Sequence, residues 1–309
     1  MQFFQLPHID FIAIRKYFYG LSISLMLLGI VSIIAHKGLN LGIDFKGGTA
    51  MAIRFEKEVT THSIRLALEK IGLGESEIKT LGTSNEFLIY MKQQKGFSAS
   101  EVVKRVQTAL TESIPDAKYE VRQVETVGPK IGQELRKNAM IAVVVSLLVI
   151  MFYLAWRFEF IFSACGVLGL FHDTFLALGV LSIFNFEISM KEIAAFLTIV
   201  GYSINDTIVV YDRIRENMKI HRGDDLKSVI NRSVNETLSR TIITALTVFL
   251  VVVILFIFGG PVVKGFSLAM MVGAVTGCYS SIYLGGALAY DWHMRHDVKR
   301  AFKMSKMKK

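Results

Sequence analysis

The chain has 309 residues, 52% of them hydrophobic, and a mean hydropathy of +0.45, high for a soluble protein of average composition. A net charge of +9 would suit a nucleic-acid binder, but the basic residues gather at the ends of apolar runs, where they report membrane topology, so no nucleic-acid role is read. Cys165 and Cys278 both lie inside apolar runs, which gives no disulfide, no metal site and no redox role.

Residues 1–16 lead into a first apolar run, 17–35, that follows Arg15 and Lys16. The run is too long for a signal-peptide core and ends in "SIIAH" without a small-residue cleavage site, so it reads as an uncleaved anchor. Residues 36–137 are soluble in character. Thr49–Glu56 alternates like a strand, Thr60–Gly72 has helical spacing, and Glu77–Leu81 and Glu86–Lys92 read as strands. Ser98–Ser113 reads as a second helix and Tyr119–Val127 as a last strand. The order β-α-β-β-α-β predicts a small ferredoxin-like α+β domain. Five further apolar runs follow at 138–155, 160–184, 193–211, 241–258 and 265–290, with a charged loop at 212–240 and a basic tail at 291–309. The predicted fold is an α-helical polytopic membrane protein with six transmembrane helices and one extracytoplasmic domain.

Orientation follows from basic residues near the spans. Arg15, Lys16, Arg157, Arg213, Arg215, Lys219 and seven residues of the tail fall on one side, together with Arg222, Lys227, Arg232 and Arg240. Only Lys191 and Lys264 occupy the short loops opposite. Both termini are therefore expected in the cytoplasm, with 36–137 outside.

No nucleotide-binding loop, nucleophile elbow or HExxH helix occurs, so an enzyme is not expected. His293 and His296 are a weak metal signal in the tail, and no metal or cofactor is expected. The chemistry lies in the spans. Asp206 sits in "VGYSINDTIVVYDRIREN", six residues before Asp212 and thus roughly 9 Å inside the span end. A carboxylate at the centre of a bilayer costs about 2.5–3.5 kcal/mol on the insertion scale. Ser203 and Asn205 offer hydrogen bonds, and Gly201 permits close helix approach. Asp206 is either a proton-loading group or a static interhelical bond. Arg240, opening the next span in "LSRTIITALTVFL", is either its partner cation or a snorkelling residue at a helix end, the latter slightly preferred on the residues alone. His172 and Asp173 lie about 12 residues, roughly 18 Å, into the third span, as members of a relay or as packing groups. In span six, Gly265, Ala269, Gly273, Gly277, Ser281, Gly285 and Ala289 recur every fourth place and permit close packing.

Long motifs carry a resemblance. "LGIDFKGGT" (41–49), "VGPKIGQEL" (127–135), "HDT" in span three, the span-four motif and "SRTI" at span five follow the order of the SecD/SecF family. The chain resembles its SecF branch over essentially its whole length. The resemblance implies a resistance-nodulation-division type half core that works with SecD on the SecYEG channel. It implies a proton gradient as energy source, unfolded preprotein as cargo, contact with membrane lipids and a bacterial cytoplasmic membrane. It also implies that Asp206 and Arg240 pair, reversing the snorkelling preference, and it gives Asp173 a less defined place. Gly47 and Gly48 at the domain's entry, and Gly128, Pro129 and Gly132 at its exit, read either as tight turns or as hinges. The alternative is half of a proton-coupled exporter of small molecules or lipids.

Overall fold

A computed structural model describes residues 8–81, 85–92, 97–115 and 117–295; His296 and the rest of the tail lie outside the described residues. In chain order the elements are α1 (Phe11–Ala35), α2 (Ile43–Lys46), β1 (Gly48–Phe55), α3 (Thr61–Glu69), β2 (Glu77–Thr80), β3 (Glu86–Met91), α4 (Ala99–Ser113) and β4 (Tyr119–Val127). They continue as α5 (Pro129–Arg157), α6 (Phe160–Ile183), α7 (Met190–Ile220), α8 (Leu226–Phe258) and α9 (Pro261–Tyr279). α9 runs on through a π-helical turn, Ser280–Gly285, into further α-helix over 286–295. The chain forms two compact units, Leu41–Ile141 on one hand and Met1–Asn40 with Ala142–Lys309 on the other.

The smaller unit is the ferredoxin-like domain. Its four strands lie in the order β2-β3-β1-β4 with every neighbour antiparallel. Alternation along β1 turns Met51, Ile53 and Phe55 towards Ile64 and Leu68 of α3 and Val106 and Leu110 of α4. The hydroxyl of Thr60 caps α3, and a Ser98–Glu101 capping box starts α4. Gly47 and Gly48 have φ of +71° and +128°, backbone that residues with a Cβ rarely adopt. A Cβ on Gly48 would stand 2.5 Å from the Met91 carbonyl oxygen, and one on Gly47 2.9 Å from the Pro129 Cα.

The larger unit holds six helices long and apolar enough to cross a membrane: α1, α5, α6, α7, α8 and the helix built on α9. α6 is the most enclosed of them, whereas α1, α5 and α8 turn Leu, Ile, Val and Phe outward, as a lipid-facing surface requires. α1 and α6 meet at Gly29 and Gly179, where a Cβ on either would lie 3.1 Å from the other's Cα. The small-residue row of span six is buried along its length. Gly265 faces Glu192, Gly273 faces Ile199, Gly277 faces Ser203 and Gly285 faces Tyr211, so the row lies against α7. Steps of four overshoot an α-helical turn and the row should wind away; the wider π turn takes up part of that overshoot.

Three helix ends differ from the apolar runs. α1 begins at Phe11, because the Asp10 carboxylate accepts from the Ala13 N–H and Phe11 and Ile12 are buried. α5 begins at Pro129, whose missing N–H is harmless in a first turn, so "VGPKIG" opens a helix instead of forming a loose connector. The stretch 212–240, read as a loop, is helical except for 221–225. Its polar residues are tied across the α7–α8 pair: Asn217 donates to the Ser233 hydroxyl (3.0 Å) and to Glu236 (2.8 Å), and Arg213 bridges Glu216 and Glu236. Charge ended the apolar signal without ending the helix.

Candidate functional site

Among the described residues, Asp173 and Asp206 are buried carboxylates well inside the spans, and their surroundings differ. Asp173 on α6 is fully enclosed. One of its oxygens accepts from the Ser203 hydroxyl of α7 at 2.6 Å and from the Ser280 hydroxyl of the π turn at 2.7 Å. The other meets His172 Nδ1 at 2.9 Å. Two hydroxyl donors and a ring nitrogen thus surround this carboxyl group. The His172 ring stacks on Tyr279 with centroids 5.9 Å apart, and the Tyr279 hydroxyl donates to the Phe18 carbonyl of α1 (2.8 Å) and lies 2.9 Å from the Ser22 hydroxyl. Next in the π turn, Ser281 lies 3.0 Å from the Thr207 hydroxyl of α7. Because the π turn spreads one helical turn over an extra residue, Ser280 and Ser281 are both buried against partners.

Asp206, on α7, is 1% exposed. Its contact is the Thr244 hydroxyl of α8, 3.2 and 3.4 Å from its two oxygens. That hydroxyl is shared with the carbonyls of Arg240 and Thr241, both at 3.0 Å. Among the described residues no ion pair joins Arg240 to Asp206, and Arg240 is exposed. Arg240 precedes Thr244 by one helical turn. The direct pairing that the resemblance implies is thus replaced by a hydroxyl contact.

Ser203 belongs to the Asp173 cluster, not to Asp206. Gly201 and Asn205 are exposed, and a Cβ on Gly201 would meet nothing within 4 Å, so its close approach is not made to a helix of this chain. Glu192 is buried as the partner of Ser189 in the capping box of α7. In the smaller unit, a Cβ on Gly132 would lie 3.2 Å from the Gly47 N and 3.3 Å from the Asp44 oxygen. The entry and exit glycines therefore pack on one another as a single clasp. Gly128 has open space beside it. Among the described residues no group of three His, Cys, Asp or Glu is placed to hold a metal.

Thr244, Thr207 and Ser280 were not singled out from sequence, and Ser281 was noted only as a small packing residue of span six. The available signals were thin: Thr244 is one turn after Arg240 in "SRTIIT", and Ser280–Ser281 interrupts the apolar tenor of span six.

The family model described as protein export membrane protein SecD/SecF, C-terminal, matches residues 106–295, and that of the SecD/SecF GG motif matches 32–59. A protein translocase subunit SecF of Rhodothermus marinus is 42% identical over 306 residues, covering 97% of this chain and 98% of the relative. The chain belongs to the SecD/SecF family. Within the SecD/SecF family its likeness is to SecF proteins; that of Escherichia coli O157:H7 is 38% identical over 290 residues, 93% of this chain and 89% of the relative. A crystal structure of SecDF, described as a translocon-associated membrane protein from Thermus thermophilus, superposes with a TM-score of 0.83 at 40% identity. It covers 93% of this chain, which spans 39% of that longer one. A SecDF structure in a super-membrane-facing form gives a TM-score of 0.70 at 40% identity, with 96% and 40% coverage.

Proposed function

We propose that this SecF-type translocase subunit, assembled with SecD, draws on the proton gradient to promote late export of unfolded preprotein delivered through the SecYEG channel. The observation that carries the reading is Asp206, a carboxyl enclosed among apolar helices and held by one shared hydroxyl. Such a group is poorly stabilised as an anion and readily neutralised by a proton, so its protonation state can select between helix arrangements. One charge moved through 100 mV is worth about 2.3 kcal/mol, enough to bias a conformational ratio more than tenfold. The exposed faces bearing Gly201, Asn205 and Arg240 supply a surface for SecD within the membrane. The relatives are named for protein translocation, which favours preprotein over a small molecule or lipid as cargo. No cofactor or catalytic residue enters this scheme. The basic asymmetry supports both termini in the cytoplasm of a bacterial inner membrane, with the ferredoxin-like domain outside and anionic lipid around the basic ends.

The test is export into inverted membrane vesicles carrying Asp206→Asn with its SecD partner. ATP-driven early translocation continues, and stimulation by the proton gradient is lost. Full gradient stimulation in that variant would reduce Asp206 to a static contact.

A further inference from the structure

We propose that His172 Nε2 is a second proton-binding site, in which the imidazole takes the proton while Asp173 stays anionic. This deepens the proton-driven reading of the site and rests on it for its consequence, but its geometry is independent of Asp206. Asp173 accepts from Ser203, Ser280 and His172, so its oxygens are occupied as those of a carboxylate. With Asp173 as the carboxylate, the 2.9 Å contact is made by Nδ1–H, which leaves Nε2 as a bare lone pair in the neutral ring. Nε2 is buried without a hydrogen-bond partner among the described residues, and the side chain is 6% exposed. A buried polar atom left so is destabilising and calls for a reason. A proton is the ligand the atom accepts.

The groups facing His172 from the packed elements are few. Asp173 is on its own helix, Tyr279 of α9 stacks on the ring, and Tyr283 of the π turn stacks against Phe18 of α1 beside Tyr279. α7 contributes Ser203 and the π turn Ser280, both through Asp173. Asp173 is the one anion in hydrogen-bond contact with the ring. Uptake of one proton at Nε2 converts a buried net charge of −1 into a neutral imidazolium–carboxylate pair, with no bond to carbon or oxygen broken. The same uptake turns Nε2 from acceptor to donor. Because Asp173, Tyr279 and Ser280 join α6 to α1, α7 and α9, four helices read that change.

The experiment is solid-state NMR of histidine-15N, aspartate-13C-labelled protein, reconstituted with SecD in lipid vesicles. His172 is assigned by its dipolar contact to the Asp173 carboxyl, so no variant need fold for the test. At high pH, Nδ1 carries hydrogen and Nε2 does not; on acidification Nε2 moves to the protonated class while the Asp173 carboxyl stays ionised. A one-proton site goes from one-tenth to nine-tenths protonated over about two pH units. Hydrogen on Nε2 at every pH, a ring that stays neutral down to the loss of the fold, or a protonated Asp173 carboxyl overturns the proposal. The same titration in Asp206→Asn separates the readings. An unaltered His172 titration leaves this proposal standing whether or not that variant exports, whereas a missing titration beside a lost gradient response removes this proposal alone.

Discussion

The Thr244 hydroxyl lies 3.2 and 3.4 Å from the two oxygens of Asp206, and among the described residues no cation forms an ion pair with it. Asp173, by contrast, is bound by three donors from three places in the fold. The two intramembrane acids are therefore chemically distinct: one is anchored, the other loosely held. Loose holding is what an exchanging proton requires, because neither state is then strongly trapped.

Thr244→Val removes the hydroxyl and keeps the shape. A hydrogen bond to a charged group contributes about 1.5–3 kcal/mol, so gradient-stimulated export should fall by roughly tenfold or more with membrane abundance unchanged. Thr244→Ser should restore most of it. Equal export by the Val and Ser variants would show that the contact is incidental.

Arg240 is exposed and, among the described residues, makes no ion pair with Asp206; the proposed function gives it a role in the assembly with SecD. Arg240→Lys should keep membrane insertion and lose most gradient-dependent export, since an ammonium lacks the planar fork of a guanidinium. Arg240→Met should abolish it. Lys working as well as Arg, measured beside membrane abundance, would return Arg240 to a snorkelling role.

Much of the smaller domain was legible, because hydrophobic period switches cleanly between two and 3.6 there and α3 and α4 each carry their own cap. Asp206 and Asp173 were legible for a related reason: charge inside an apolar run is rare and costly. Their partners were not. Serine and threonine satisfy themselves on the preceding turn of any membrane helix, as Thr198 and Thr174 do here, so Thr244 and Ser280 carry no distinctive signal. Hydropathy also marks the apolar layer and not the helix, which is why 212–240 read as a loop. Arg240 was paired with Asp206 by resemblance, whereas its side chain is exposed and makes no ion pair with Asp206 among the described residues.

Gly48→Ala should destabilise the ferredoxin-like domain. Its φ of +128° costs roughly 1–3 kcal/mol for a residue with a Cβ, and the Cβ would also overlap the Met91 oxygen at 2.5 Å. Hydrogen exchange in the intact chain should show faster exchange across β1 and β3, with the bundle unaffected. Unchanged protection would mean that the strand entry relaxes freely.

The Ser98 N–H, and then its hydroxyl, donate to the Glu101 carboxylate and hold its pKa below the usual glutamate value. A depressed folded value means that the stabilisation is complete above the ordinary glutamate pKa of about 4.3 and is lost as pH falls through the lower folded value. Protection of the first-turn amides of α4 should therefore drop on acidification below that window, and Glu101→Gln should remove the pH dependence. An equal acid response in the Gln variant would place the cause elsewhere.

Cysteines placed at Arg222 and Gln123, in a variant without Cys165 and Cys278, should react with an impermeant thiol reagent from opposite sides of the membrane. Arg222 should label from the cytoplasmic face. Both labelling from one side would overturn the orientation.

The central claim is that Asp206 gains and loses a proton. Infrared difference spectra of the chain with SecD in vesicles, recorded as the pH is stepped, measure this at the carboxyl itself. The account predicts a carboxylic-acid carbonyl band that appears on acidification, disappears on return and is absent from Asp206→Asn. A spectrum in which that variant and the parent protein are identical would contradict it.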